Sequence, residues 1–200
     1  MVKSSSQKRR ERILSATADL IRRDGISALT TKKIAAEAGC AEGTIFRHFG
    51  DKGGLIAAVL SFGLPEIYRL EEIAHQPVGS ELTKDLRKLC AAVYEYYVAS
   101  YPIAASALAD ADIFRRYQAA HRAAGTGPRQ IWGFVRDYLE AARAAGLVRA
   151  DLDIEIEAMA LAGACQNAAW VTLVNGTDSL PHGGRAFIES LVAVRIASFH

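Results

Sequence analysis

A hydroxyl, a guanidinium and an imidazole fall within five residues at Thr44, Arg47 and His48, groups that offer hydrogen bonds and positive charge to a partner. Their use depends on the helix that carries them. Ile45 and Phe49 are four residues apart, so a helix over Glu42 to Phe49 turns both inward and is expected to leave Thr44, Arg47 and His48 facing outward. Held that way, they are the groups a DNA major groove would meet. Arg47 can donate two parallel hydrogen bonds to guanine, worth roughly 1–3 kcal/mol of discrimination. Gly43 lets the start of the helix come close to a phosphate.

The segment just before positions that helix. Thr31 can cap a short helix by offering its hydroxyl to free backbone N–H groups, and Ile34, Ala35 and Ala38 then share one apolar face. Ala35 sits where the two helices are expected to cross. Gly39 can take the left-handed backbone that reverses the chain, and Cys40 is apolar enough to plug the turn.

From Thr31 to Leu55 the sequence resembles the DNA-binding domain of the TetR family of transcriptional repressors. That family's motif runs roughly Thr-x-x-x-Ile-Ala-x-x-Ala-Gly-Val-Ser-x-Gly-Thr-Leu-Tyr-x-His/Tyr-Phe-x-x-Lys-x-x-Leu. The tail Phe46-Arg47-His48-Phe49 with Asp51-Lys52 is the most particular part of the match. Upstream, Arg10 to Arg23 reads as an amphipathic helix with Ile13, Thr17, Leu20 and Ile21 on one side, ended by Asp24-Gly25, like the family's first helix. The resemblance implies that Thr31 and Lys32 reach the DNA backbone at the groove edge. It implies that Glu42, Gly43, Thr44 and Arg47 approach bases or nearby phosphates, and that Phe46, His48 and Lys52 clamp the backbone. Two departures stand out. Phe46 replaces the usual Tyr and lacks its phenolic hydrogen bond, and Cys40-Ala41 replaces Val-Ser, which leaves the second helix without a serine cap.

Charge agrees with an approach to phosphate from one end. Residues 1–52 hold 11 Lys and Arg against 6 Asp and Glu, a net +5, which leaves −3 for the remainder of a chain whose total is +2. Such asymmetry is the electrostatic footprint of nucleic-acid binding. Half of the 200 residues are hydrophobic, enough for a sizeable core. No apolar run reaches the roughly 18 residues that a membrane span needs, and the basic start has no apolar segment with a cleavage site behind it. A cytoplasmic location and no membrane partner are therefore expected. Cys40, Cys90 and Cys165 are widely spaced and lack any C-x-x-C, so they read as small buried hydrophobes rather than a disulfide framework or metal site. No cofactor is expected.

Past Lys52 the pattern is helix after helix. The fold class expected is all-α, about nine helices in total, with a helix-turn-helix domain over residues 1–52 and a helical effector-binding and dimerisation domain over 53–200. Pro65 is expected to kink or end the fourth helix, and Tyr101-Pro102 to end a long helix beginning near Glu81. The helix over Ile154 to Val174 carries Ala158, Ala162 and Ala169, small residues that permit close helix approach. The last helix carries Phe187, Leu191, Val194 and Ser198 at i, i+4, i+7 and i+11. These seven are the candidate homodimer interface, a two-fold four-helix contact. A two-fold dimer would set two recognition helices in successive major grooves of a pseudo-palindromic operator in double-stranded DNA.

By the same resemblance, the body is expected to enclose a small-molecule effector that releases the DNA. Candidate lining residues on the long helix are Met159, Gln166, Asn167 and Trp170, joined by Tyr97, Tyr101, His121 and Trp132 from other helices. Such a lining favours an apolar or aromatic effector. For each aromatic, and for His121, ordinary core packing is the competing reading. Two other functions fit the same elements: an activator or ligand-requiring co-repressor protein on this fold, and a helical small-molecule-binding protein or enzyme. The enzyme reading has no phosphate-cradling glycine loop, no H-E-x-x-H and no G-x-S-x-G to support it.

Overall fold

The computed structural model describes residues 4–25, 28–79 and 81–199, and among them the backbone forms ten α-helices and one short 3-10 turn with no strand. The helices are α1 (Ser5–Asp24), α2 (Thr31–Glu37), α3 (Glu42–Phe49), α4 (Lys52–Phe62), α5 (Pro65–Ala74), α6 (Leu82–Leu108), α7 (Ala111–Ala124), α8 (Pro128–Ala144), α9 (Ile154–Asn175) and α10 (Gly184–Ile196). The all-α expectation holds. The chain gathers into two compact units, Met1–Ile67 with Ser100–Gly127 and Tyr68–Ala99 with Pro128–His200.

Of the two outcomes expected at Pro65, a kink or an end, α4 ends, at Phe62, and Pro65 opens α5, since the missing N–H costs nothing in a first helical turn. The second proline departs from the sequence reading. Pro102 lies inside α6, which continues through it to Leu108. The lost backbone bond and ring clash cost about 3 kcal/mol, and the complete burial of Ile103 and Ala107 just beyond offsets that cost.

In the first unit, α1 begins at Ser5, where the Ser4 hydroxyl caps it by accepting from the Gln7 N–H. It buries Ile13, Leu14, Thr17, Leu20 and Ile21 and packs on α2 and α4. Asp51 caps α4, its Oδ1 accepting from the Gly54 N–H at 2.9 Å. Packed on α4 is α7, and the closest approach is at Gly53. A Cβ there would lie 2.7 Å from Arg116 Cβ and 2.9 Å from both the Ile113 carbonyl oxygen and the Tyr117 nitrogen.

In the second unit, α9 packs along α8, and α10 packs on α9. Leu86, Leu89, Val135, Leu139, Leu161 and Cys165 are fully buried. Cys90 and Cys165, 75 positions apart in the chain, meet sulfur to sulfur in this core as free thiols. The contact with Cys90 and the burial push the Cys165 thiol well up, which makes it unreactive. Glu157 is 3% exposed, and its carboxylate accepts two hydrogen bonds from the Arg195 guanidinium, the Nε one at 2.7 Å, which ties α10 to α9. Near the end of the chain, the Phe199 carbonyl accepts from the Arg149 N–H at 2.8 Å.

Gly53→Ala should destabilise the protein although alanine is the better helix former by about 1 kcal/mol. Two of the three atoms that the new methyl would meet are backbone and cannot swing away, so a net loss of about 1–2 kcal/mol is expected in chemical denaturation. An unchanged or raised midpoint would disprove the close-approach argument.

Candidate nucleic-acid interface and effector cavities

The turn between α2 and α3 is held from both sides. Thr30, not Thr31, is the N-cap of α2, its hydroxyl accepting from the Lys33 N–H at 3.2 Å. The chain is still extended at Thr30, which is the backbone a cap requires, whereas Thr31 is already helical. Thr31 instead donates its hydroxyl to the Glu42 carboxylate and so links the start of α2 to the start of α3. At the far end of α2 the Arg12 guanidinium donates to the Ala38 carbonyl and, at 3.3 Å, to that of Gly39. Gly39 takes φ +59°, and a Cβ there would lie 2.9 Å from the Arg12 guanidinium. Glycine therefore serves twice, for the left-handed turn and for the arginine's passage. Ile34, Ala35 and Ala38 are buried as expected, and Cys40 is half-buried in the turn.

On α3, Glu42, Gly43, Phe46 and Arg47 are exposed, joined by exposed Lys32 on α2 and half-buried Thr31, His48 and Lys52. Thr44 departs from the outward face expected of it and is buried beside Ile45. Adjacent positions are only about 100° apart on a helix, and α3 packs against both α2 and α4, so the inward face is wider than one stripe. Phe49, expected inward, is half-buried, with the Arg10 guanidinium 5.3 Å from its ring centroid. The same guanidinium lies 5.3 Å from the Phe62 ring, so one cation joins α1, α3 and α4 through two aromatic faces. His48 is held below the ordinary histidine range, first by partial burial and then by Arg47, Arg10 and Arg9. The Ala41 cap makes no side-chain hydrogen bond, in keeping with the missing serine. Arg10, Arg12 and Thr30 were not singled out from the sequence as individual residues. The first two sit in the basic run read only as net charge.

Burial also redraws the proposed interface. Ala158, Ala162 and Ala169 are buried inside their own unit and are not on an outer face. The outer face of α9 carries Ile156, Met159, Trp170 and Val174, each more than half exposed, with Leu173 beside them. A helix that is apolar on all sides has no periodic bias to separate its inner from its outer stripe. On α10, Val194 is 72% exposed and Phe187 and Leu191 are half-buried, whereas Ser198 lies past the helix end at Ile196 and is exposed.

The residues expected to line an effector cavity differ in burial. Met159, Asn167 and Trp170 are exposed, Gln166 and Trp132 half-buried, and Tyr97 buried edge-on against Tyr96 at 5.4 Å. Tyr101 and His121 belong to the first unit and the other six to the second. A cavity of 360 Å³ in the second unit is lined by Arg69, Ile73, Arg87, Lys88, Ala91, Tyr94, Glu95, Gly184, Ile188 and Glu189. A smaller one of 170 Å³ in the first unit is lined by residues of α1, α3, α4 and α7 together with Thr126. Neither cavity is lined by any of the eight. Sequence periodicity marks which residues share a helix face, but a cavity is made by faces from separate helices. Among the described residues no cluster of three or more His, Cys, Asp or Glu is placed to hold a metal.

His121 is a core histidine. Its Nδ1 shares a 2.8 Å hydrogen bond with the Thr126 hydroxyl, and its ring stands edge-on to Tyr117 with centroids 4.4 Å apart. Burial holds it below the ordinary histidine range, so the unfolded chain takes up its proton first as pH falls. Stability should therefore decline as pH drops through about 6.5. The urea midpoint should fall between about pH 7.5 and 5.5, and His121→Gln should flatten that fall in part, with His48 accounting for some of the remainder. An unchanged slope in the variant would rule His121 out.

Residues 13–59 match the family model described as bacterial regulatory proteins, tetR family. Over 51 residues the chain is 49% identical to the HTH-type transcriptional regulator YvkB of Bacillus subtilis strain 168, covering 26% of this chain and 27% of that protein. Over 90 residues it is 36% identical to the HTH-type transcriptional regulator HbdR of Aromatoleum sp. strain CIB, covering 45% and 38%. The chain thus spans between about a quarter and two fifths of the length of these relatives. Among solved structures, a TetR-family protein of Mesorhizobium loti superposes with a TM-score of 0.71 at 17% identity, over 98% of this chain and 97% of that one. FadR of Thermus thermophilus, a TetR-family repressor in complex with lauroyl-CoA, superposes at 0.63 and 22% identity, over 94% and 93%. The family match covers the helices that form the turn and the exposed face of α3, so it is over residues 13–59 that the chain is similar to the tetR family of bacterial regulatory proteins.

Proposed function

We propose that this protein is a ligand-responsive transcriptional repressor that binds a pseudo-palindromic operator as a homodimer and is released by a small-molecule effector. The observation that carries the reading is the exposed Gly43, Phe46 and Arg47 face on a recognition helix pinned at both ends of its turn. By role, residues 1–52 contact DNA and residues 53–200 bind the effector and the partner subunit. Arg47 reads base edges, Gly43 and Lys32 approach phosphate, and His48 and Lys52 hold the backbone. Phe46, with no hydroxyl to give a phosphate, offers its 48% exposed ring to a thymine methyl or a sugar.

The outer face of α9 with Val194 of α10 supports the homodimer. It is the kind of apolar face that subunit contacts cover. For the effector, the second unit offers the 360 Å³ cavity, which lies within the range of small-molecule sites, and the fold is one that holds an acyl-CoA in the Thermus protein. No single helix among the described residues is long and apolar enough to cross a membrane. One bent pair, α4 with α5, passes on length and composition, but α4 is mostly buried.

Genomic fragments retained by the protein at physiological salt, once sequenced, should share one palindromic element, because non-specific affinity is weak there. Arg47→Ala should lose preference for that element by at least about tenfold with helical content unchanged. Equal operator affinity in variant and parent would remove Arg47 from base reading. In light scattering the parent should run at twice the chain mass of 21.6 kDa. Trp170→Glu with Val194→Glu should run at the chain mass with its circular dichroism intact, and a variant still dimeric would place the interface elsewhere.

A further inference from the structure

The 170 Å³ cavity of the first unit lies against the last turn of the recognition helix. His48 and Phe49 of α3 form one wall, Arg10 of α1 another, and Ser61 and Phe62 of α4 a third, with alanines of α4 and α7 closing the rest. Three observations define what it would accept. Ser61 is 3% exposed and lines the cavity, yet its Oγ has no hydrogen-bond partner. Buried hydroxyls are rarely left without a partner, because the lost hydration is not recovered. Second, no Asp or Glu lines the cavity. The central carbon of the Arg10 guanidinium lies over the Phe49 and Phe62 rings, 5.3 Å from each centroid, and no ion pair engages it among the described residues. Burial and three neighbouring arginines hold His48 below the ordinary histidine range, and Arg10 is the arginine in the lining. Third, apart from these polar groups and Thr126, whose hydroxyl is already bonded to His121, the walls are two phenyl rings, Gly54 and small methyl groups. The volume is close to that of the roughly 150 Å³ apolar cavity that accepts benzene.

We propose that this cavity binds a compact apolar monocarboxylate of about six to eight carbons, its ring or branched body against Phe49 and Phe62 and its carboxylate between Arg10 and the Ser61 hydroxyl. The hydroxyl donates to one carboxylate oxygen and the guanidinium edge to the other, which satisfies the orphan serine and pairs the free cation. The bound anion would cancel positive charge beside His48, so occupancy competes with DNA phosphate. That consequence rests on the DNA-binding function proposed above, whereas the binding does not.

Titration calorimetry of the full chain with cyclohexanecarboxylate, at constant ionic strength, tests the site without DNA. Saturable binding is expected at one molecule per chain, roughly tenfold weaker in Ser61→Ala and at least as much weaker for the neutral isostere cyclohexylmethanol. Ser61→Ala removes only an unpartnered hydroxyl, so its fold should survive, and unchanged circular dichroism would establish that. Absence of saturable binding, equal affinity in Ser61→Ala, or equal affinity for the alcohol would each overturn the proposal. In parallel, anisotropy of a labelled duplex should report weaker DNA binding when the carboxylate is present. Failure of the parent to bind any duplex would sink the DNA-binding reading and leave the calorimetric result standing.

Discussion

The exposed face of α3 depends on one backbone reversal. Between α2 and α3 the chain turns at Gly39 with a positive φ, and the carbonyls left open at the end of α2 are taken by Arg12 from α1. A helix end leaves such carbonyls unsatisfied, and a partner from another element converts a loose end into a fixed angle. Because α1 also packs on α2 and α4, the arginine ties the turn to the core of its unit. The Thr31–Glu42 hydrogen bond holds the starts of the two short helices together. Isolated helices of seven and eight residues would not persist in water. These contacts hold them together as one unit.

Positive charge in this unit is divided between packing and the exposed face of α3. Arg10 is spent on two aromatic faces and Arg12 on two carbonyls, while Arg47 stays exposed. The net charge of the segment therefore overstates how many cations remain for a phosphate. The crowding of Arg9, Arg10 and Arg47 around His48 keeps that imidazole neutral, so it enters a contact as a hydrogen-bonding group whose charge depends on its partner.

The second unit shows how an apolar helix can serve two surfaces. The inner stripe of α9, from Ile154 through Ala158, Ala162 and Cys165 to Ala169, fills the core of its own unit, and the outer stripe leaves Trp170 and Met159 largely uncovered. Glu157, in the inner half, is tolerated because Arg195 supplies two hydrogen bonds. A buried carboxylate without such a partner would be strongly destabilising. The small residues on α9 thus allow α8 and α10 to approach within the protomer.

The amino-acid sequence by itself determined the helical class, the helix-turn-helix with its buried Ile34, Ala35, Ala38 and Ile45, and the exposed Arg47, because these rest on local periodicity and on turn chemistry within about twenty residues. It misplaced the α2 cap by one residue and turned Thr44 outward, since cap position and the width of an inner face depend on how neighbouring helices pack. Tertiary structure alone decided that Arg12 reaches Ala38, that Arg10 lies between Phe49 and Phe62, that Gly53 is where α7 crosses, and which stripe of α9 is covered. Each of these joins residues from different helices. A one-dimensional pattern records which side chains share a face, and only the packed chain records which face meets which.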